Sequence, residues 1–234
     1  MKRVLLSWSS GKDCAWALHV LRQQAGVSVA GLLTTTNEAF DRVAMHGVRR
    51  TLVEAQAAAA GLPLHIVPLP WPCPNDAYEA RMAEACRRAA AEGVTHVAFG
   101  DLFLEDVREY REKRLVGTGL SPLFPLWGTA DDTPALAGAM LAAGVRSVVT
   151  CVDSRQCPAS IAGRWWDAAL LAELPPGVDP CGERGEFHTF CTDGPMFSHP
   201  LRIVVGDVVE RDGFRFADVQ AAAPDGIDAL RREA

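Results

Sequence analysis

The chain has 234 residues, 49% of them hydrophobic, and a formal net charge of −6 at pH 7. This length can form one large domain or two smaller ones. Charged residues or histidine interrupt every apolar run before it reaches the length of a membrane span. The acidic charge argues against a nucleic-acid partner, because contacts to phosphate dominate that affinity. We therefore expect no membrane partner and no nucleic-acid partner.

Strand patterns and helix patterns alternate from the N-terminus to about residue 128. Strands are predicted over residues 4–8, 27–36, 64–69 and 94–100. Helices are predicted over residues 11–24, 46–60, 75–91 and in a charged segment that ends near 114. This alternation predicts a parallel, Rossmann-like α/β sheet with helices on both faces. Right-handed crossovers bring the carboxyl ends of such strands to one edge, where ligands bind.

The pattern changes after residue 128. Helices are predicted over residues 134–143 and 161–173, and strands over 145–152, 202–209 and 213–219. These elements predict a smaller C-terminal α/β domain over residues 129–222, following an N-terminal domain over 1–128. Residues 223–234 are expected to form a tail.

Seven cysteines are scattered along the chain without a C-x-x-C pair. Their odd number and irregular spacing argue against a disulfide framework and a zinc ribbon, which favours a reducing cytoplasm. The N-terminus is typical of a strand followed by a polar turn and not of a signal peptide. We therefore expect a cytoplasmic protein.

A polar turn follows the first strand, and its chemistry suits a phosphate group. After Leu6 the chain runs Ser7-Trp8-Ser9-Ser10-Gly11-Lys12-Asp13-Cys14. A strand, a tight turn and a helix start aim unpaired backbone N–H groups and the positive end of the helix dipole at one point. Lys12 adds a positive charge there. Spacing alone leaves a second interpretation open, in which the turn only opens a helix with Asp13 in its first turn.

Two other phosphate-binding patterns do not fit this turn. A Walker A loop needs a glycine five residues before its Gly-Lys pair and a Ser or Thr after the lysine. The chain has Leu6 and Asp13 at those positions. A dinucleotide fingerprint needs three spaced glycines, and here Gly11 stands alone.

A second segment concentrates groups that exchange protons. Between Asp179 and Phe190 it contains Gly182-Glu183-Arg184-Gly185-Glu186-Phe187-His188-Thr189. The two glycines permit backbone turns that are closed to other residues. The glutamates, the histidine and the threonine supply acid, base and donor groups in one short stretch. From spacing alone, a solvated turn before a hairpin is an equally open interpretation.

The first turn resembles the Ser-Gly-Gly-Lys-Asp-Ser signature of the PP-loop ATP pyrophosphatases. It matches that signature at Ser9, Gly11, Lys12 and Asp13, and departs from it at Ser10 and Cys14, where glycine and serine are usual. We expect Ser10 to keep the turn provided that its φ is not strongly positive.

The second segment is similar to the Gly-Glu-Gly-Gly-Glu-Phe-His-Thr element of the diphthine–ammonia ligase family, with Arg184 where a small residue is usual. Gly100-Asp101 and Pro125-Leu126-Trp127 are further matches, so the resemblance spans about residues 1–200. It implies a HUP-type sheet and an enzyme that uses ATP and Mg²⁺. The substrate is then a carboxylate on a small molecule or protein side chain, which is adenylated before ammonia or an amine displaces AMP to give an amide.

The resemblance also implies the roles of individual residues. ATP contacts are expected at Ser7, Ser9, Ser10, Gly11, Lys12, Asp13, Cys14, Leu33, Thr34, Thr35, His46, Gly100 and Asp101. Water-mediated magnesium contacts are expected at Asp13 and Asp101. Contacts to the other substrates are expected at Gly182, Glu183, Arg184, Gly185, Glu186 and Thr189. Catalytic roles are expected for Lys12, Asp13, Glu183, Glu186 and His188.

Several alternatives stay open. A non-catalytic ATP/AMP-binding sensor is disfavoured because it needs no second reactive cluster. RNA modification on a PP-loop scaffold is disfavoured by the acidic charge and the missing C-x-x-C pair. His46 is equally well interpreted as a surface histidine. A local basic patch for nucleic acid stays open in the charged helix, at Arg108, Arg111, Lys113 and Arg114. The favoured interpretation is a solvated helix face on which Glu105, Glu109 and Glu112 pair with the arginines. A homodimer also stays open.

Overall fold

The computed structural model describes residues 1–43 and 46–223, which form two sheets and their helices. The helices are α1 (Lys12–Gln23), α2 (Arg50–Ala60), α3 (Asn75–Ala91), α4 (Glu105–Leu115), α5 (Thr133–Ala142) and α6 (Ala168–Glu173). The strands are β1 (Lys2–Ser7), β2 (Val27–Asn37), β3 (Arg42–Val43), β4 (Leu64–Leu69), β5 (His96–Ala98), β6 (Ser121–Leu123), β7 (Arg146–Asp153), β8 (Trp165–Trp166), β9 (Phe187–Asp193), β10 (Ile203–Arg211) and β11 (Phe214–Ala221).

The first sheet is mainly parallel, as predicted. Its strands lie in the order β4, β2, β1, β5, β6, and each neighbouring pair is parallel. The short β3 pairs antiparallel with the end of β2. Val4, Leu5 and Leu6 of β1 are all buried, which is typical of a central parallel strand covered on both faces. The carboxyl ends of the parallel strands therefore share one edge.

Apolar clusters cover both faces of this sheet. On one face, Cys86 of α3 and Phe99 after β5 belong to a cluster of their own. On the other face, Leu6 of β1 and Leu18 of α1 belong to a cluster that continues to Phe190 of β9. Because one apolar core serves both sheets, the second sheet packs directly against the α1 side of the first.

The second sheet is antiparallel. The long strand β7 pairs with β9 on one edge and with β11 and β8 on the other, and β10 pairs with β11. Buried residues of α5 and α6 pack into the shared core. The predicted C-terminal α/β unit is therefore an antiparallel sheet with two helices, and the division at residue 128 stays a prediction.

The predicted helix over residues 161–173 is wrong in its first half. Gly163 adopts a left-handed conformation with φ +81° and ends a short 3₁₀ turn. Trp165 and Trp166 then pair with β7 as β8. The side chain of Asp167 caps α6, so the helix begins only after it. The tryptophan pair was therefore placed by strand pairing and not by helical periodicity.

Other boundaries differ less. β9 occupies residues predicted as a loop, and α2 begins at Arg50 instead of residue 46. The predicted tail lies outside the described residues from position 224 onward. Within the described part of the chain, no helix is long and apolar enough to cross a membrane.

Candidate functional site

A cleft of about 580 Å³ opens at the carboxyl edge of the first sheet. We call residues 7–14 the phosphate loop and residues 182–189 the acidic segment, and both contribute to the cleft wall. The predicted site residues that line it are Ser7, Ser9, Lys12, Asp13, Cys14, Leu33, Thr34, Thr35, His46, Gly100, Asp101, Gly182, Glu183, His188 and Thr189. The predicted residues that lie off its wall are Ser10, Gly11, Arg184, Gly185 and Glu186.

The acidic segment touches the phosphate loop directly. The backbone N–H of Lys12 donates to Oγ1 of Thr189, with an N–O distance of 3.1 Å. A Cβ atom on Gly11 would lie 3.3 Å from the carbonyl oxygen of Thr189. Gly11, at the N-cap of α1, supplies no side-chain cap. The N-terminus of α1 is therefore capped by a strand of the second sheet, 177 residues further along the chain.

Lys12 is buried between the two sheets. Its Nζ lies 2.9 Å from the Asp13 carboxylate and donates to the carbonyl oxygen of Cys181. It also lies 5.3 Å from the ring centre of Trp166 and 5.7 Å from that of Phe187, within cation–π range. Burial lowers the pKa of Lys12, but the Asp13 carboxylate, together with Cys181 and Asp179, outweighs burial and the net pKa is raised. Lys12 is therefore a charged ammonium at the cleft wall.

Ser10 has a strongly positive φ of +73°. The condition under which the sequence predicted it to keep the turn is therefore not met, yet the turn is present and the side chain is fully buried. A left-handed backbone is unfavourable for a residue with a Cβ atom. Other contacts must hold this conformation.

Gly100 allows the end of β5 to approach α1 closely. A Cβ atom at this position would lie 2.9 Å from the backbone N of Cys14. Asp101 follows at the cleft wall, and its carboxylate lies 3.2 Å from Nε of Arg111. The glycine therefore allows the phosphate loop to pack closely against the end of β5. The charge of the neighbouring aspartate is balanced by an arginine.

The charged helix α4 divides into two faces. Arg108 pairs with Glu112 and Lys113 with Glu109, as predicted for a solvated face. Arg111 and Arg114 instead line the cleft, where Arg111 pairs with Asp101 and Arg114 with Glu79 of α3, so their partners are not the predicted glutamates of the helix itself. These two residues are three apart and lie on one helix face, and α4 directly follows Gly100-Asp101, which is the signal that could have located them.

An apolar wall of the cleft was not predicted. Tyr78, Met82 and Cys86 of α3 line it together with Val97 and Phe99 near the end of β5. The helical spacing of the α3 residues marks a buried face. Nothing in that spacing distinguishes a face that packs on the core from one that lines a cavity.

The two glutamates of the acidic segment have different partners. Oε1 of Glu183 accepts from the backbone N–H of Leu102 at 2.7 Å, and burial raises the pKa of this carboxyl to about 8. The buried Glu186 accepts from the backbone N–H groups of Asp179 at 3.0 Å and Arg184 at 2.9 Å. Glu183 therefore faces the cleft, and Glu186 closes the turn of the segment itself.

Two histidines meet in the cleft. The rings of His46 and His188 have centroids 4.5 Å apart. Burial, followed by the nearby charge of Lys12, lowers the pKa of His188 to about 4. Burial and the neighbouring His188 lower the pKa of His46 well below its usual value. Both imidazoles are therefore neutral at pH 7, and His46 lies in the cleft and not on an open surface.

Both parts of the chain match models of known protein families. The family model of the diphthamide synthase N-terminal domain matches residues 1–121, and that of the diphthamide synthase C-terminal domain matches residues 134–220. The chain belongs to the diphthamide synthase family. This family is that of the diphthine–ammonia ligases, in the PP-loop superfamily, so this diphthamide synthase homologue is a PP-loop ATP-utilising enzyme. A search of curated proteins returned no match.

Proposed function

We propose that the protein is an AMP-forming ligase that adenylates a carboxylate and then transfers ammonia or an amine to it. The observation that carries this proposal is the junction of the phosphate loop and the acidic segment across one cleft, through Lys12 and Thr189. One motif suits phosphates and the other suits an amine. Their direct contact supports two half-reactions in a single site.

The cleft fits ATP in size and in chemistry. Its volume lies within the range of about 300–1,000 Å³ that is usual for ligand sites. The phosphate loop supplies the N-terminus of α1 and the ammonium of Lys12 for the phosphates. The buried hydroxyl of Thr34 lines the cleft and has no hydrogen-bond partner among the described residues. This orphaned donor, with Leu33 and Thr35 beside it, supports the predicted adenine edge.

The carboxylates of the cleft could bind magnesium only together with the phosphates of a bound nucleotide. Asp13 and Asp101 line the cleft, but each carboxylate is already paired with a cation. In residues 1–43 and 46–223, no group of three or more His, Cys, Asp or Glu could hold a metal by itself. Magnesium that keeps several waters and the phosphate oxygens needs only one or two carboxylates. When bound, it would offset the charge of the phosphates.

In the first half-reaction, a carboxylate oxygen of the substrate attacks the α-phosphorus of ATP. The bond to the β-phosphate oxygen breaks, and pyrophosphate leaves with that electron pair. Lys12 and the amides of the phosphate loop stabilise the charge that develops on the pyrophosphate, an electrostatic effect worth a few kcal/mol per donor. Asp13 keeps the ammonium of Lys12 in place.

In the second half-reaction, the amine nitrogen attacks the acyl carbon and AMP leaves. The amine must lose a proton, and Glu183 is the titratable cleft carboxyl best suited to take it, because its pKa of about 8 approaches that of an ammonium. The neutral rings of His46 and His188 do not repel an incoming cation. Glu186 positions the acidic segment, and Arg184 lies at its exposed side.

The test is the identity of the nucleotide product. The protein is incubated with Mg·ATP, ammonium chloride and a panel of carboxylates and carboxylate-bearing proteins, and the products are separated by chromatography. We expect AMP and pyrophosphate in equal amounts, together with an amide. ADP and phosphate would refute adenylation, and tight ATP binding without turnover on any carboxylate would favour the sensor instead.

The predicted cytoplasmic location is part of this proposal. All seven cysteines are free thiols. Free buried thiols support a reducing compartment, where ATP is also present.

A further inference from the structure

The left-handed turn at Ser10 is held from outside the phosphate loop. The hydroxyl of Ser10 has no hydrogen-bond partner among the described residues. Its carbonyl oxygen, by contrast, accepts two hydrogen bonds. One comes from the backbone N–H of Cys191 at 2.9 Å, and the other from Nε2 of Gln56 at 3.0 Å. The backbone of Ser10 is therefore positioned by its carbonyl and not by its side chain.

The side-chain amide of Gln56, on α2, makes hydrogen bonds through both its nitrogen and its oxygen. Besides Ser10, its Nε2 donates to the carbonyl oxygen of Cys191 at 2.6 Å. Its Oε1 accepts from Nε1 of Trp8 at 2.9 Å. The side chain is fully buried, and a buried amide with both donors and its acceptor paired is a rigid connection. It joins the end of β1, the phosphate loop and β9 of the second sheet.

We propose that Gln56 is a positioning residue of the ATP site, which holds Ser10 in its left-handed conformation so that the loop amides stay aimed at the phosphates. This role rests on the proposed function, because it takes ATP as the ligand of the loop. Gln56 is not among the residues that line the cleft. Its effect on ATP therefore passes through Ser10 and Trp8.

The serine makes this chain depend on Gln56. Glycine adopts positive φ readily, whereas a residue with a Cβ atom pays a penalty there. A loop with glycine at position 10 would adopt this turn with less dependence on hydrogen bonds from the rest of the protein. Gln56 and Ser10 should therefore be energetically coupled, and removal of the amide should matter less once Ser10 is replaced by glycine.

A double-substitution cycle read by ATP affinity tests this coupling. Gln56→Met keeps the length of the side chain but removes its donors and its acceptor. Calorimetry with Mg·ATP, well below the melting temperature, should show an affinity loss of roughly tenfold for Gln56→Met in the wild-type background. In the Ser10→Gly background the same substitution should cost no more than about threefold. Should Gln56→Met not fold, Gln56→Glu, which lacks the amide donors, takes its place.

Thr192→Val is the matched control. It removes a part-buried hydrogen bond of β9, from Oγ1 of Thr192 to the carbonyl oxygen of Arg146 at 3.1 Å, without touching the loop. We expect it to lower the melting temperature and to leave ATP affinity unchanged. Hydrogen exchange of the amides in residues 7–14 gives a second readout. It should accelerate in Gln56→Met and slow again when Ser10→Gly is added.

Each contrary result has a distinct meaning. Unchanged ATP affinity in Gln56→Met, with only a lowered melting temperature, would overturn the positioning role. Equal losses in both backgrounds would show that Ser10 is not what Gln56 holds, and would also overturn it. Failure of the wild-type protein to bind ATP would refute the proposed function. In that case the exchange of the loop amides still decides whether Gln56 positions the loop.

Discussion

The phosphate loop and the acidic segment are equally dense in polar residues, but they use them differently. In the phosphate loop, Lys12 and Asp13 line the cleft as an ion pair. In the acidic segment, both carboxylate oxygens of Glu186 accept hydrogen bonds from backbone N–H groups of its own turn. Glu183 lines the cleft while it also binds the N–H of Leu102. The comparison teaches that the polar residues of a motif can first serve the fold of the motif itself.

Replacement of Lys12 should have the largest effect on ATP binding, because it removes the positive charge of the phosphate loop. We expect Lys12→Ala to weaken ATP binding by ~1–3 kcal/mol, the usual size for loss of a charge-assisted contact. It should also lower the melting temperature, because Asp13 loses its partner. Calorimetry checks the affinity, with the exposed Lys113→Ala as the control. Unchanged ATP affinity in Lys12→Ala would show that the ATP phosphates do not bind at this loop.

Replacement of Glu186 tests the other side of the comparison. In Glu186→Gln, an amide N–H₂ group faces a backbone N–H that the carboxylate had satisfied, at a cost of about 1–3 kcal/mol. We expect a strong loss of ligation because the turn that places Glu183 is disturbed, while ATP affinity stays nearly intact because Glu186 itself lies off the cleft wall. Amide formation and calorimetry are measured in parallel, with the exposed Glu173→Gln as the control. Loss of ATP binding in a folded variant would contradict this division of labour.

Gly100→Ala tests how tightly the phosphate loop is seated. The added Cβ would lie 2.9 Å from the backbone N of Cys14, so α1 or β5 must shift. We expect a stability loss of about 1–3 kcal/mol, typical of overpacking a core, measured by urea unfolding. Gly138→Ala is the control, because its Cβ meets nothing within 4 Å and alanine favours a helix by about 0.5–1 kcal/mol. Equal stability changes in the two variants would show that the close approach is unimportant.

The pH dependence of Glu183 tests the glutamate of the acidic segment that lines the cleft. Its pKa in the folded protein is raised to about 8 by burial, so the folded state binds more protons than the unfolded state below that pH. The contribution of Glu183 to the free energy of unfolding therefore falls as pH rises from its unfolded pKa, about 4.3, towards 8. Ligation should rise over the range from about pH 7 to 9 as the carboxyl ionises.

Glu183→Gln should remove both pH dependences. Thermal unfolding and initial rates across this pH range measure them. A wild-type profile that Glu183→Gln leaves unaltered would exclude Glu183 as the titrating group.

The centre of the first sheet could be predicted from the sequence because β1, β2 and β4, and the helices that connect them, have clear local patterns. The second sheet was less accessible. β8 has two residues, and it forms only because Trp165 and Trp166 pair with β7. β9 overlaps the acidic segment, whose glycines and charged residues indicated a loop. Strands of this kind depend on partners far away in the chain, and local patterns do not encode that pairing.

The sequence by itself determined the phosphate loop, because a strand end, a small-residue turn and a helix start follow one another without a break. Only the tertiary structure decided that Thr189 caps α1, that Gln56 holds Ser10, and that one glutamate of the acidic segment faces the cleft while the other faces its own backbone. The contacts of Thr189 and Gln56 depend on how β9 packs against α1 and α2, which joins residues more than a hundred positions apart. Burial at that interface, and not local propensity, selects the partners of these two side chains.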